Sequence, residues 1–208
     1  MSRPLLILGA GGHARVVVDI VRTGSAPLLG LLDRDPTLHN TEVDGVPVLG
    51  DDDVIAKHAP ASVLLVNALG NVAKQGDSGL KARRALFEAF KAKGYTFAQV
   101  ISPAATVSKY ARLGEGCHII TRAVVHPGAE IGANTIVNTG AQVDHDCRIG
   151  AHVHIAPGAA LCGNVTVGEG AHIGAGAVII ENIKVGAGAV VAAGAVIVKD
   201  VAAGSTVF

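Results

Sequence analysis

The stretch Cys147-Arg148-Ile149-Gly150-Ala151-His152-Val153-His154-Ile155-Ala156-Pro157-Gly158-Ala159-Ala160-Leu161-Cys162-Gly163-Asn164-Val165-Thr166-Val167-Gly168 repeats one six-residue pattern. Each unit has a small or β-branched residue (Cys147, Val153, Ala159, Val165) and, two places on, an aliphatic one (Ile149, Ile155, Leu161, Val167). A strand alternates faces, so these two positions point inward together and the residue between them points out. Beyond this stretch the aliphatic position recurs without a miss, from Val107 and Leu113 to Val191 and Ile197, sixteen times in all. Glycine follows it at Gly114, Gly132, Gly150, Gly168 and Gly186, every eighteenth residue, so three hexads close one coil. The pattern reads as a parallel β-helix of triangular section. Just over five coils at ~4.8 Å each give a prism roughly 25 Å long. The five glycines are expected at corners that need an unusual φ.

The outward positions sort the three sides. One side carries Arg112, Glu130, Arg148, Thr166 and Lys184, a solvated surface. The next carries His118, Ile136, His154, His172 and Val190, and the third Val124, Gln142, Ala160, Val178 and Val196. Two sides are too apolar to stand in water along their length. A triangular prism with two such sides closes a three-fold ring, so a homotrimer is expected.

Composition fits a solenoid: 27 glycines, half the residues apolar, only 3% aromatic and no tryptophan. The formal net charge is zero, and the halves split near residue 100 carry +1 and −1, which excludes the basic excess of a nucleic-acid binder. Three cysteines, Cys117, Cys147 and Cys162, lack disulfide spacing and suit a reducing, cytoplasmic compartment. The apolar run from Pro4 to Ala10 is too short to span a bilayer and reads as a buried strand.

Residues 1–100 lack the hexad and read as a Rossmann-like α/β domain, with residues 101–208 forming the β-helix domain. Strands are expected at Leu5–Leu8, Leu28–Leu32 and Val63–Asn67. Helices are expected at Ala14–Val21 and Lys81–Lys93, the second with an apolar stripe of Ala85, Leu86, Ala89 and Phe90. Gly9-Ala10-Gly11-Gly12-His13-Ala14, with Asp33 about 20 residues on, lets backbone approach phosphate at a helix N-terminus. About 100 residues leave no room for a second mononucleotide half, which favours a nucleotide-diphosphate ligand over a dinucleotide.

Among nine histidines, His39, His58 and His152 fall in loop or polar contexts, and His118 and His126 at interface or solvent positions. His118, His154 and His172 share one column, but position 159 is Ala where a γ-carbonic-anhydrase-like metal site needs a further histidine, so no metal is expected. His145 differs. It lies at the corner between an apolar side and the polar side, flanked by Asp144 and Asp146, carboxylates able to orient the imidazole and raise its basicity. A base poised near neutrality is what deprotonation of an amine or hydroxyl requires. Cys117 and Cys147 face inward and Cys162 has no paired base, so a cysteine nucleophile is not expected.

Taken together, Leu8-Gly9-Ala10-Gly11-Gly12-His13, Leu32-Asp33, Gly70-Asn71, Asn138-Thr139, Asp144-His145-Asp146-Cys147, His154, Pro157-Gly158-Ala159 and Cys162-Gly163-Asn164-Val165 resemble the hexapeptide-repeat bacterial sugar acetyltransferases. That group includes sialic acid O-acetyltransferases and N-acetyltransferases of nucleotide-linked 4-amino-4,6-dideoxy sugars. The resemblance covers nearly the whole chain and implies a left-handed coil, against the usual crossover preference. It implies acetyl-CoA as co-substrate and a nucleotide-linked amino sugar as acceptor. His145 matches the general base and Asp146 the carboxylate that tunes it. His154 and Gly163 match acetyl-CoA contacts, with Ala175 and Ala193 lining the pantetheine groove. Gly11, Gly12, His13 and Asp33 match nucleotide-sugar positions, with Arg34, Gly70 and Asn71 beside them. Family members often carry a second carboxylate where this chain has Arg34, which leaves uridine and guanosine both open. They usually continue into a Gly-x-Pro-Ala tail, so the CoA exit end is expected to differ at Phe208.

The mechanism expected is direct transfer: His145 takes the acceptor's proton as it attacks the thioester, and a backbone N–H near Gly163 steadies the oxyanion. His145 and His154 fall on different sides of one prism, so they share a site only across a subunit interface. Sugar O-acetylation is the near alternative; a non-catalytic trimeric sugar-binding scaffold is the distant one.

Overall fold

The computed structural model describes residues 3–71 and 80–208. They form two units, one of residues 3–70 with 82–100, the other of residues 101–208 with Asn71, Leu80 and Lys81.

In the first unit, β1 (Leu5–Leu8) is the centre of a parallel sheet between β2 (Leu28–Leu32) and β5 (Leu64–Asn67). A short hairpin of β3 (Glu42–Val43) and β4 (Val46–Pro47) intervenes in the chain. Every residue of β1 is buried, as a central parallel strand covered on both faces must be. Helix α1 (Gly12–Val21) starts two residues before the expected Ala14, on a glycine N-cap, Gly11, that supplies no side-chain hydrogen bond. Helix α2 (Lys81–Ala92) buries Arg83, Leu86, Phe87 and Phe90. The expected stripe is corrected here: Ala85 and Ala89 are exposed, and the i, i+3, i+4, i+7 spacing that packs inward starts at Arg83. Arginine was not counted as a core residue, although its guanidinium can be buried when carbonyl oxygens receive it.

The second unit is a β-solenoid of two-residue strands in three parallel sheets of six, five and seven strands. The eighteen-residue register is regular: Ile136 pairs with His118 on one side and His154 on the other, and Gln142 with Val124 and Ala160. Val100–Ile101 and Thr206–Val207 add strands beyond the sixteen hexads, so the solenoid has about six coils rather than just over five. The paired inward positions form one continuous aliphatic core, with Cys117, Ala123, Ala129, Ala141 and Cys147 completely buried between the larger residues.

The glycine column needs a different explanation from the one its spacing suggested. Gly114, Gly132, Gly150, Gly168 and Gly186 do not have positive φ. A Cβ on Gly114 would lie 2.5 Å from the Ala133 nitrogen, and one on Gly150 2.7 Å from the Glu169 nitrogen. These glycines are required by the close passage of one coil's backbone over the next. The left-handed turn falls two residues later, at every sixth residue from Gly116 to Gly194, occupied by Gly, Asn, Asp, His or Arg.

The three sides also behave differently from one another. Arg112, Glu130, Arg148 and Lys184 are exposed. On the second side His118 is 0%, Ile136 1% and His154 6% exposed, so this column is closed within a single chain. The expectation of two open apolar sides therefore narrows to the third, where Val196 is 62% exposed.

Candidate active site

His145 stands in the turn between the Gln142–Val143 and Arg148–Ile149 strands. Its backbone N–H donates to Asp144 Oδ1 at 2.7 Å, which fixes the turn. The next residue, Asp146, takes the left-handed conformation (φ 59°), a region that aspartate tolerates better than most side chains. That twist brings Asp146 Oδ2 to 2.9 Å from His145 Nδ1. The ring therefore donates its Nδ1–H to the carboxylate and carries its lone pair on Nε2. The Asp146 hydrogen bond, and after it the charge of Asp144, hold the imidazole above its ordinary pKa of 6.5.

One coil further on, Gly163 occupies the same corner. A Cβ there would meet His145 Cε1 and Nε2 at 2.7 Å, so the basic nitrogen lies directly against the glycine. Among the described residues the Gly163 N–H donates no hydrogen bond. Gly128, one coil before Asp146, serves the carboxylate in the same way: a Cβ on it would collide with Asp146 Oδ1. Two missing side chains thus seat the imidazole and its carboxylate partner. A cleft of about 420 Å³ opens here, lined by Asp144, His145, Cys162, Gly163, Asn164, Glu181 and Asn182. The Asn164 amide nitrogen donates to Asn182 Oδ1 at 2.8 Å along the corner. Gly128, Asn164, Glu181 and Asn182 were not singled out as site residues from the sequence. The period itself could have found the last three, since each lies eighteen residues from a neighbour in the cleft.

His154 is not beside His145. It lies on the second side, where the Asn71 amide comes within 3.0 Å of its Nδ1 and the Asn138 amide within 3.1 Å of its Nε2. Ala175 and Ala193 are exposed turn residues that follow strands of the same sheet. The Asn71 side-chain amide thus lies against His154 and His172. His118, expected at an interface or in solvent, is wholly buried, and His152, read as a loop residue, is 7% exposed against the Asn134 amide at 2.9 Å. Among the described residues no three His, Cys, Asp or Glu side chains converge as a metal would need.

In the first unit Asp33 closes the Gly-rich turn, accepting the Ala10 N–H at 2.7 Å and the Asp35 N–H at 2.9 Å. Gly11 and Gly12 are exposed and a Cβ on either would meet nothing, so the start of α1 is open to solvent. A Cβ on Gly70 would touch His13 Cβ at 3.3 Å, which places these two expected residues side by side. Burial and the Arg83 charge push His13 down to about 4, so it is neutral at pH 7. Arg83 donates to the carbonyl oxygens of Asn67 and Leu69. A cavity of about 800 Å³ is lined by Gly9, Asp33, Arg34, Asp51, Asp52, Asp53, Phe90 and Lys93 among others. That is the size range of a ligand pocket. Arg34, expected beside the ligand, pairs with Asp52 at 2.8 Å at its edge.

Residues 4–75 match the family described as PglD N-terminal domain, and residues 146–180 and 164–199 match the bacterial transferase hexapeptide family of six repeats. The acetyltransferase domain of PglB from Neisseria gonorrhoeae, solved with acetyl coenzyme A, is 37% identical, with 99% of this chain and 96% of that one covered at a TM-score of 0.89. PerB from Caulobacter crescentus, solved with CoA and GDP-perosamine, is 36% identical over 98% of this chain and 92% of that one, TM-score 0.86. WeeI from Acinetobacter baumannii is 30% identical over 99% and 96%, TM-score 0.78. Comparison with curated protein sequences gives no significant match.

Proposed function

Because the chain belongs to the hexapeptide-repeat family of bacterial sugar acetyltransferases, with its left-handed β-helix, we propose that it moves acetyl from acetyl-CoA to the amine of a nucleotide-linked 4-amino-4,6-dideoxy sugar. The observation that carries the reading is His145, held by Asp146 with its Nε2 against Gly163 at the mouth of a cleft. His145 Nε2 takes a proton from the acceptor nitrogen as that nitrogen attacks the thioester carbonyl. The unpaired Gly163 N–H, beside the base, donates to the oxyanion as it forms. The tetrahedral intermediate then expels the CoA thiolate, and the amide product leaves. The nucleotide lies on the first unit, with its diphosphate at the start of α1 and its base in the cavity beside Asp33 and Arg34. A UDP-linked and a GDP-linked sugar are both compatible with this cavity; the likeness to PerB favours GDP.

The site is completed in a homotrimer, because His145 and His154 project from different sides of one coil and meet only if a neighbour supplies the second. The exposed Val196 side is the surface for that contact. No helix among the described residues is long and apolar enough to cross a membrane, and we place the enzyme in the cytoplasm, where acetyl-CoA is found.

The test is release of free thiol from acetyl-CoA in the presence of UDP- and GDP-linked 4-amino-4,6-dideoxy sugars. Rapid release with one of them, abolished by His145→Ala, is the expected result. Release only with hydroxyl acceptors such as sialic acid overturns the amine assignment, and full turnover by His145→Ala overturns the mechanism.

A further inference from the structure

The second side of the solenoid contains a part-buried polar cluster around His154 whose internal hydrogen bonding the proposed reaction does not define. His154 and His172 are register partners in adjacent coils, with ring centroids 5.1 Å apart. The side-chain amide of Asn71 bridges them, its nitrogen placed 3.0 Å from His154 Nδ1 and 2.9 Å from His172 Nδ1. Asn71 Oδ1 is buried and has no hydrogen-bond partner among the described residues. On the opposite edge of the His154 ring, Asn138 Nδ2 stands 3.1 Å from Nε2.

These contacts conflict as they are placed. A neutral imidazole has one N–H and one lone pair, so it cannot accept from two amide nitrogens at once, and a protonated ring can accept from neither. One of the two amides must therefore present its oxygen. Asn138 is anchored, because its Oδ1 accepts the Thr139 N–H at 2.8 Å, and turning it would set donor against donor there. Among the described residues Asn71 Oδ1 has no such anchor. Half a turn of its amide keeps the same shape and places Oδ1 between the two Nδ1 atoms. Two N–H···O bonds then form, and Asn138 Nδ2 donates to a true acceptor at His154 Nε2. The turn leaves the Asn71 nitrogen in the buried position the oxygen held, a cost that three satisfied contacts at the rings outweigh. Burial lowers the pKa of His172, which keeps that ring neutral at pH 7.

We propose that Asn71 is a positioning residue: its side-chain oxygen accepts the Nδ1–H of both His154 and His172 and fixes both rings as the tautomer with the lone pair on Nε2. The two histidines expected in the chemistry are then prepared for different work. His145 stands at an exposed corner as a base. His154 is clamped in place with its Nε2 lone pair turned to the Asn138 amide, so a co-substrate N–H that reaches this nitrogen must displace that amide, and a carbonyl oxygen finds no donor there. The assignment of the clamp is independent of the reaction; only its kinetic consequence rests on the acetyltransferase reading.

The first test uses the whole protein labelled with 15N-histidine. Long-range 15N–1H correlation above pH 8 reads which ring nitrogen carries the proton, and His172→Gln and Asn71→Ala assign the signals. Two coupled Nδ1–H tautomers, altered together in Asn71→Ala, are expected. Nε2–H tautomers for both rings in the wild-type protein overturn the proposal, even if Asn71→Ala does not fold. The second test is steady-state kinetics of Asn71→Ala, with an expected KM for acetyl-CoA about tenfold higher, as for loss of one hydrogen bond, and kcat within about twofold. A loss confined to kcat, with KM unchanged, overturns the positioning role. Wild-type protein that turns over no sugar at all overturns the proposed reaction instead, and leaves the tautomer measurement to decide the clamp.

Discussion

The His145 ring lies on Gly163, so close that a Cβ at position 163 would be 2.7 Å from both Cε1 and Nε2. Gly163 does not have positive φ, so alanine suits its backbone. The group it would strike is the far end of an exposed side chain, which can swing away at little cost. Gly163→Ala is therefore expected to leave the melting temperature within about a degree while lowering kcat about a hundredfold, the usual effect of a displacement near 1 Å at a reacting group. Unchanged kcat would show that the ring need not occupy this position.

Asp146 makes its own prediction through pH. Its hydrogen bond is the first cause of the raised His145 pKa, with Asp144 second. As the proposed base, His145 works only when deprotonated, so wild-type kcat/KM is expected to fall as pH drops through a value above 6.5. Asp146→Asn keeps a residue suited to φ 59° but weakens the hydrogen bond and removes the charge, so the His145 pKa falls. The acid limb of kcat/KM then moves to lower pH, and the plateau drops about tenfold because the free base is weaker. An acid limb that stays in place or moves to higher pH would mean that another group governs it.

The thiols give a third prediction. Cys147 is wholly buried, its Sγ donates to the Cys162 carbonyl at 3.1 Å, and burial pushes its pKa up to about 11. It is no nucleophile near neutrality. Cys162 lines the cleft with His145 but contributes no base of its own. Cys162→Ser is expected to retain kcat within about threefold, with no acetyl group on the protein after mixing with acetyl-CoA alone. An acetylated protein detected by mass spectrometry, lost in Cys162→Ser, would replace direct transfer with a two-step route.

The solenoid was legible because its period is strict: every inward residue from Ile119 to Ile197 could be assigned by counting in sixes, and the register followed. The contact between His145 and Asp146 was legible because the two are neighbours in the chain. Contacts between coils were harder to read. Nothing local to Gly128 shows that it makes room for Asp146, and nothing local to Asn71 shows that it bridges two rings 83 and 101 residues away. Buried Arg83 escaped because a charged residue at a helical core position is normally excluded, and the carbonyl groups of Asn67 and Leu69, which receive it, are not visible in the local pattern.

The two kinds of glycine in the coil can be separated by one pair of variants. Gly150 lacks positive φ but has the Glu169 nitrogen 2.7 Å from where its Cβ would be. Gly140 has φ 66° and open space around that position. Alanine at 140 incurs only the left-handed penalty, about 1 kcal/mol. Alanine at 150 must push one coil's backbone off the next, and backbone cannot rotate aside as a side chain can, so the cost is about 3 kcal/mol. In urea unfolding, Gly150→Ala is expected to have the clearly lower midpoint of the two. Both residues lie well inside the solenoid, so fraying at its ends does not separate them. If Gly140→Ala were the more damaging, strain in the turns and not the spacing between coils would be what confines this column to glycine.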